Sequence, residues 1–168
     1  MESNPIVRPS TDADIPAIAD IYGYHVQHGV ASFETSPPGI DEVARRRREV
    51  LERGLPWLVA ELEGRVVGYA HATPYRSRAA YRFTLEDSIY IHPLHIGKGI
   101  GKLLLPRLIL ECQESGAAQL IAVIGDTENP ASIKLHEKFE FRYVGTLRRV
   151  GFKFERWLDT VLMQRPLG

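Results

Sequence analysis

The chain holds a single cysteine, Cys112, among 168 residues. One thiol excludes an intrachain disulfide and any zinc cluster built on thiolates. Charge of one sign is lacking as well, since 21 lysines and arginines stand against 21 aspartates and glutamates. No global field therefore draws the chain to nucleic acid or to a membrane surface. No apolar run approaches the length of a membrane-spanning helix. Met1-Glu2-Ser3-Asn4-Pro5 has neither the basic nor the apolar region of a secretion signal. The expectation is a cytoplasmic protein with no metal, no nucleic-acid partner and no membrane partner. Repeats, low-complexity tracts and linkers are missing too, so residues 1–168 are expected to form one domain.

What is present suits a globular enzyme. The composition, 44% hydrophobic and 25% charged, is ordinary for a chain with a substantial core. Arg45-Arg46-Arg47-Arg48 could form a nucleic-acid patch, but Glu42, Glu49 and Glu52 beside it favour a solvated helix face. Strand signals fall at Ile6-Val7-Arg8-Pro9 and at Trp57 to Ala70, the latter split by a Glu63-Gly64 turn. Others fall at Ser88 to His92, at Gln119 to Ile124, and twice between Phe141 and Gln164. Helices are expected after Ser10-Thr11-Asp12, from about Asp41 to Arg53, after Gly101, and from Asn129-Pro130 with asparagine as cap. His28 to Gly39 reads as a loop. Pro106 should kink the third helix without breaking it, because apolar residues continue through Leu108, Ile109 and Cys112.

The segment His95-Ile96-Gly97-Lys98-Gly99-Ile100-Gly101 joins a strand to a helix. Glycines there let the chain turn sharply and leave N–H groups uncovered at the positive end of the helix, a site for phosphate. The spacing matches neither the dinucleotide fingerprint nor the phosphate loop of nucleotide hydrolases. The alternative, taking the loop alone, is a glycine-rich turn with no ligand.

Its context narrows the choice. Strand, His-Pro-x-His-x-Gly-Lys-Gly-Ile-Gly, helix, buried strand and then Asn129-Pro130-Ala131-Ser132 resembles the GNAT superfamily of N-acetyltransferases. Within it, Ala31-Ser32-Phe33-Glu34-Thr35, Thr84 to Ile91 and Val150 to Asp159 resemble the phosphinothricin and methionine sulfone or sulfoximine acetyltransferases. The resemblance implies an α/β (α+β) fold: a mixed, mostly antiparallel twisted sheet flanked by helices, with central strands that splay after Ile91. It implies acetyl-CoA as co-substrate, a small amino-acid acceptor and a homodimer. In that family the pyrophosphate lies on the loop matched here by Gly97, Lys98, Gly99, Ile100, Gly101 and Lys102. Ile96 replaces the family's polar residue, leaving recognition to backbone donors.

Amine acetylation needs a base, an oxyanion donor and a proton for the departing thiolate. The resemblance puts a glutamate of the subfamily at Glu86, the candidate base; the alternative is a strand-edge carboxylate paired with Arg82 or Arg78. His136 occupies the place of a tyrosine that protonates the thiolate in many relatives. It is the candidate acid, with a structural histidine as the alternative and Tyr143 as a substitute. Ile89, Tyr90 and Ile91 would offer the pantetheine arm a strand edge, and Asn129 and Ser132 further contacts. The resemblance puts acceptor recognition at Phe33 and Glu34 and at Arg76, Arg78 and Arg82. A guanidinium suits a carboxylate, and Arg82 is the first choice. Two rival functions stay open: acetylation of a protein or peptide amine, and a silent acyl-CoA-binding regulatory module.

Overall fold

A computed structural model describes residues 3–125 and 129–168. Met1 and Glu2, part of the N-terminal segment read above, lie outside the described residues. Seven strands form one sheet: β1 (Ile6–Pro9), β2 (Trp57–Leu62), β3 (Arg65–Pro74), β4 (Thr84–Ile91), β5 (Gln119–Ile124), β6 (Arg142–Lys153) and β7 (Arg156–Pro166). Their spatial order is β1-β2-β3-β4-β5-β7-β6, and every neighbouring pair is antiparallel except β4 and β5. This is the mixed, mostly antiparallel sheet expected from the resemblance. Helices α1 (Ile15–His28) and α2 (Ile40–Glu52) cover one face, and α3 (Gly101–Glu114) covers the other. Strand alternation assigns the faces. Tyr90 meets Tyr22 of α1, whereas Gly68, opposite Ile91, meets Ile100 at the start of α3. The fourth helix, α4 (Pro130–Lys138), packs beside β5.

The core joins Ile18 of α1, Leu58 and Val59 of β2, Ala70 of β3, Met163 of β7 and the inner stripe of α3. Leu104, Leu105, Leu108 and Cys112 are fully buried there. That stripe carries α3 across Pro106 without a break, although the proline removes a backbone donor. The hairpin between β2 and β3 turns at Glu63 and Gly64, both at positive φ, as its sequence requires.

Two expectations need correction. Pairing between β4 and β5 runs only from Thr84↔Gln119 to Glu86↔Ile121, so the strands part after Glu86 rather than after Ile91. Each strand stays bonded to its other neighbour, β4 to β3 as far as Ile91 and β5 to β7 as far as Ile124. The sheet twist can therefore carry the two apart without unravelling either. The run Arg45 to Arg48 is not one solvated face, because successive helical residues point about 100° apart. Arg45 lies outside with Glu42 and Glu49, and Arg46 turns to Glu34. Arg47 is buried, holding Ser10 Oγ at 2.8 Å and Asp12 at 2.7 Å.

Candidate active site

The parting strands open a cavity of 770 Å³, bounded by β4 beyond Glu86, the end of β5, the glycine loop, the start of α4 and Phe33. A second cavity, of 660 Å³, lies on the α1 and α2 face and is bordered by the β3–β4 connection. Ser88 and Tyr90 line both cavities, so the two meet there.

The alternation of β4 fixes what the first cavity offers. His92 N–H donates to Val67 O, and Tyr75 N–H donates to Thr84 O. The even-numbered residues of β4 therefore bond β3, and the backbone groups of Asp87, Ile89 and Ile91 face the gap. Ile91 O is taken by His25 Nε2 at 2.6 Å. The Ile89 backbone and the Ile91 N–H are free for a ligand that lies along the strand. Tyr90, whose backbone bonds β3, contributes its ring instead.

Gly97 and Gly99 sit at φ +79° and +80°, a region that side-chain-bearing residues rarely adopt. At Gly101 a Cβ would stand 2.9 Å from Leu135 Cδ2, so a side chain there would make the tip of Leu135 shift. Among the described residues, no N–H from Gly97 to Lys102 donates to a backbone carbonyl, and the next, Leu103, bonds Ile100. This row of free donors at a helix start fits a pyrophosphate. Ile100 is buried in the core while lining the cavity floor, and Lys102 lines the mouth. Lys98 lies outside the lining. Asn129 Oδ1 accepts the Ser132 N–H at 3.4 Å, capping α4, and both residues border the cavity.

Glu86 sits where the strands part. It forms no ion pair with Arg78 or Arg82 among the described residues; Arg82 instead bonds Ala79 O and lies over the Phe83 ring. Burial, reinforced by the adjacent Asp87 charge and opposed by Arg76, pushes its carboxyl up to about 7. His136 is 3% exposed. Its Nε2 meets Asp87 Oδ2 at 2.9 Å and its Nδ1 donates to Ser132 O at 2.7 Å, so both nitrogens are engaged. Burial alone would lower its pKa, but the Asp87 charge and these two bonds together raise it. Tyr143 lies exposed on β6, bonded to Thr146 and away from both cavities.

The residues expected to read the acceptor separate into two groups. Arg76, Arg78 and Arg82 line the second cavity, with no ion-pair partner among the described residues. Phe33 lines the first cavity and packs flat against Gly151, where a Cβ would come within 2.3 Å of its ring. Glu34 lines neither. Its oxygens bind Arg46 at 2.7 and 3.0 Å, and the Tyr22 hydroxyl donates to it. The Arg46 guanidinium holds the Glu34 carboxyl below the ordinary range despite partial burial. Lys153 is buried and donates to Ser32 O at 2.7 Å, tying the Phe33 loop to β6.

Several of these residues escaped the sequence. Asp87 gave no signal because its partner comes from another helix. Arg46 was hidden in a basic run. His71 and Trp57, which line the second cavity, look like core residues in strands. Gly151 and Lys153 lie in a segment already noticed for its resemblance.

Comparison with known proteins adds an independent line. Residues 24–141 match the model of the acetyltransferase (GNAT) family. A phosphinothricin N-acetyltransferase of Alcaligenes faecalis is 55% identical over 162 residues, 96% of this chain and 82% of that protein. An L-methionine sulfoximine/L-methionine sulfone acetyltransferase of Salmonella typhimurium is 39% identical over 163 residues, 96% of this chain and 94% of its own length. Among solved structures, a phosphinothricin acetyltransferase of Sinorhizobium meliloti in complex with acetyl-CoA superimposes with a TM-score of 0.94 at 46% identity, covering 100% of this chain and 90% of that one.

Proposed function

The chain belongs to the acetyltransferase (GNAT) family, and from that premise we propose that it acetylates the amine of a small amino acid or analogue, with acetyl-CoA as donor. Phosphinothricin, methionine sulfone and methionine sulfoximine are the leading acceptors. The observation that carries this reading is the meeting of the two cavities at Ser88 and Tyr90, beside a glutamate that titrates near neutrality. One cavity is a slot with a phosphate-type loop at its mouth. The other is a pocket lined by five arginines, Arg46, Arg53, Arg76, Arg78 and Arg82, suited to a free carboxylate.

Acetyl-CoA supplies an activated acyl thioester, which the slot suits through the N–H groups of Gly97 to Lys102 and the backbone of Ile89 and Ile91. Glu86 takes a proton from the acceptor ammonium, whose own pKa near 8 makes the transfer closely matched. The freed amine attacks the thioester carbon. A C–N bond forms, the C–S bond breaks, and the proton that the acylated nitrogen sheds passes through solvent to the departing thiolate. Transfer is direct, within a ternary complex, because Cys112 is buried in α3 and its thiol is pushed up to about 12. Arg82, with Arg76 and Arg78, pairs the acceptor carboxylate. Phe33 closes the slot, and Glu34 acts through Arg46. His136, with both nitrogens engaged, holds α4 and its Asn129 cap against β4 rather than handing over its proton.

The chain works as one domain and as a homodimer. Among the described residues β6 is a sheet edge paired on its β7 side alone, and Val144, Val150, Phe152, Phe154 and Trp157 on the β6–β7 hairpin are between 52% and 59% exposed. A second copy of the chain would cover these side chains. Light scattering on Phe152→Glu should then return a monomer where the native chain gives a dimer. No helix among the described residues is long and apolar enough to cross a membrane, and we place the enzyme in the cytoplasm. There, masking the phosphinothricin amine would confer resistance to that compound.

The test is thiol release from acetyl-CoA with a panel of free amino acids and a peptide amine. Turnover of methionine sulfone or phosphinothricin supports the reading. Activity confined to the peptide amine would move the chain to protein acetylation, and no thiol release with any acceptor would leave a silent binding module.

A further inference from the structure

Three near-parallel rings cluster against the second cavity. Trp57 of β2 lies on His71 of β3 with centroids 3.9 Å apart and planes 12° apart. The Tyr69 ring lies parallel beside this pair, 5.8 Å from Trp57 and 6.1 Å from His71. Trp57 Nε1 and His71 Nδ1 are buried without partners, and they are two of the three such side-chain nitrogens among the described residues. A fold rarely leaves two polar atoms unsatisfied in one stack unless something nearby compensates.

The geometry of His71 says what that compensation could be. Its Nδ1 is sealed, while its Nε2 has no bonding partner among the described residues and is not among the buried atoms, so that nitrogen opens to the cavity. A buried N–H without an acceptor costs more than a buried lone pair, which puts the proton on Nε2. Burial, with the Arg46 charge second, drives the ring down to about 3, so it stays neutral at working pH. The cavity floor thus presents one fixed, uncharged N–H donor. His71 stands opposite Ser88 and diagonal to Glu86, whose opposite is Thr73. Diagonal neighbours lie about 7 Å apart. An extended amino acid carries oxygens on a group attached to Cγ about 6 Å from its amine. An amine at Glu86 can therefore leave such an oxygen at His71.

We propose that His71 reads the acceptor side chain, its Nε2–H donating to an oxygen on the sulfur or phosphorus attached to Cγ. The pocket would then favour sulfones, sulfoximines and phosphinates over bare thioether or alkyl side chains. The inference rests on the amino-acid acceptor assigned above. Trp57 and Tyr69 act as positioning residues that hold the imidazole plane. Arg46, from α2, lines the same cavity with its guanidinium paired to Glu34 and Glu42.

The experiment compares kcat/KM for methionine sulfone and for methionine in the native enzyme, His71→Phe and His71→Gln. Phenylalanine keeps the stack and removes the donor; glutamine restores an N–H. The expected result is a sulfone-to-methionine ratio reduced about tenfold by His71→Phe, the value of one hydrogen bond, carried in KM and recovered in part by His71→Gln. Equal loss on both acceptors, or an unchanged ratio, would overturn the role of His71 while leaving the acetyltransferase reading intact. Failure of the native enzyme on every free amino acid would overturn the acceptor assignment, and the inference with it.

Discussion

Replacing Glu86 by Gln should make the protein slower and, above neutral pH, more stable. The folded carboxyl holds its proton up to about pH 7, against an ordinary value of 4.5. Between those values the unfolded chain binds fewer protons at this site than the folded chain, so stability falls as pH rises through the interval. A gap of that size corresponds to about 3 kcal/mol at most, and solvent reaching the cavity reduces it to about 1–2 kcal/mol. Glutamine has no charge to desolvate. Its stability relative to native should therefore rise by that amount between pH 4.5 and pH 8, or about 3–6 °C in melting temperature for a chain of this length. Melting curves at both pH values, with and without acceptor, measure the gain. In parallel, kcat/KM of the native enzyme should fall about tenfold per pH unit below 7, while Glu86→Gln should lose that limb and about 10²–10⁴ in rate. A stability difference independent of pH, or an acid limb that survives in the variant, would refute both the buried carboxyl and its role as base.

Three further outcomes follow from contacts already described. Asp87→Asn leaves the buried His136 imidazole without its counter-charge, and calorimetry should show a loss of about 3 kcal/mol. Because the His136 pKa is raised, that loss should be full below about pH 6.5 and shrink as pH climbs through the raised value. Gly151→Ala should push Phe33 from its seat, costing about 1–3 kcal/mol and raising KM for the acceptor more than for acetyl-CoA. Gly99→Ala puts a Cβ on a residue at φ +80° and should cost about 1 kcal/mol. Isothermal titration should show weaker acetyl-CoA binding with acceptor binding unchanged.

The sequence disclosed whatever is local. Gly97, Gly99 and Gly101 announced a turn because their spacing is itself the geometry, and Asn129-Pro130 announced a helix start because capping acts within a few residues. The strand at Gln119–Ile124 came from a run of apolar residues, Leu120 to Ile124, that stops at Gly125. What stayed hidden depends on distance along the chain. Asp87 finds His136 49 residues away, and Lys153 finds Ser32 121 residues away. The Ala31 to Thr35 and Val150 to Asp159 segments were each legible, but their interlock through Phe33 and Gly151 was not. Arg46 and Arg47 show a subtler limit. Four identical side chains carry one composition, and only the helical period decides that one faces a cavity, one the core and two the solvent. The point of splaying was misplaced for a similar reason, since β4 keeps its strand character to Ile91 on the β3 side alone.

The short parallel join has a consequence for the chain's fate in a crowded solution. Backbone donors and acceptors left open along a strand invite pairing with any extended polypeptide, which is how sheet edges seed aggregation. Here the open groups of Ile89 and Ile91 lie inside the sheet, roofed by α4 and the Phe33 loop and spanned at their inner end by Asp87 and His136. A slender pantetheine-like arm can thread this slot. A second polypeptide, with side chains on both faces, cannot. The fold thus keeps an unquenched edge in reserve for its co-substrate and shields it from every other chain.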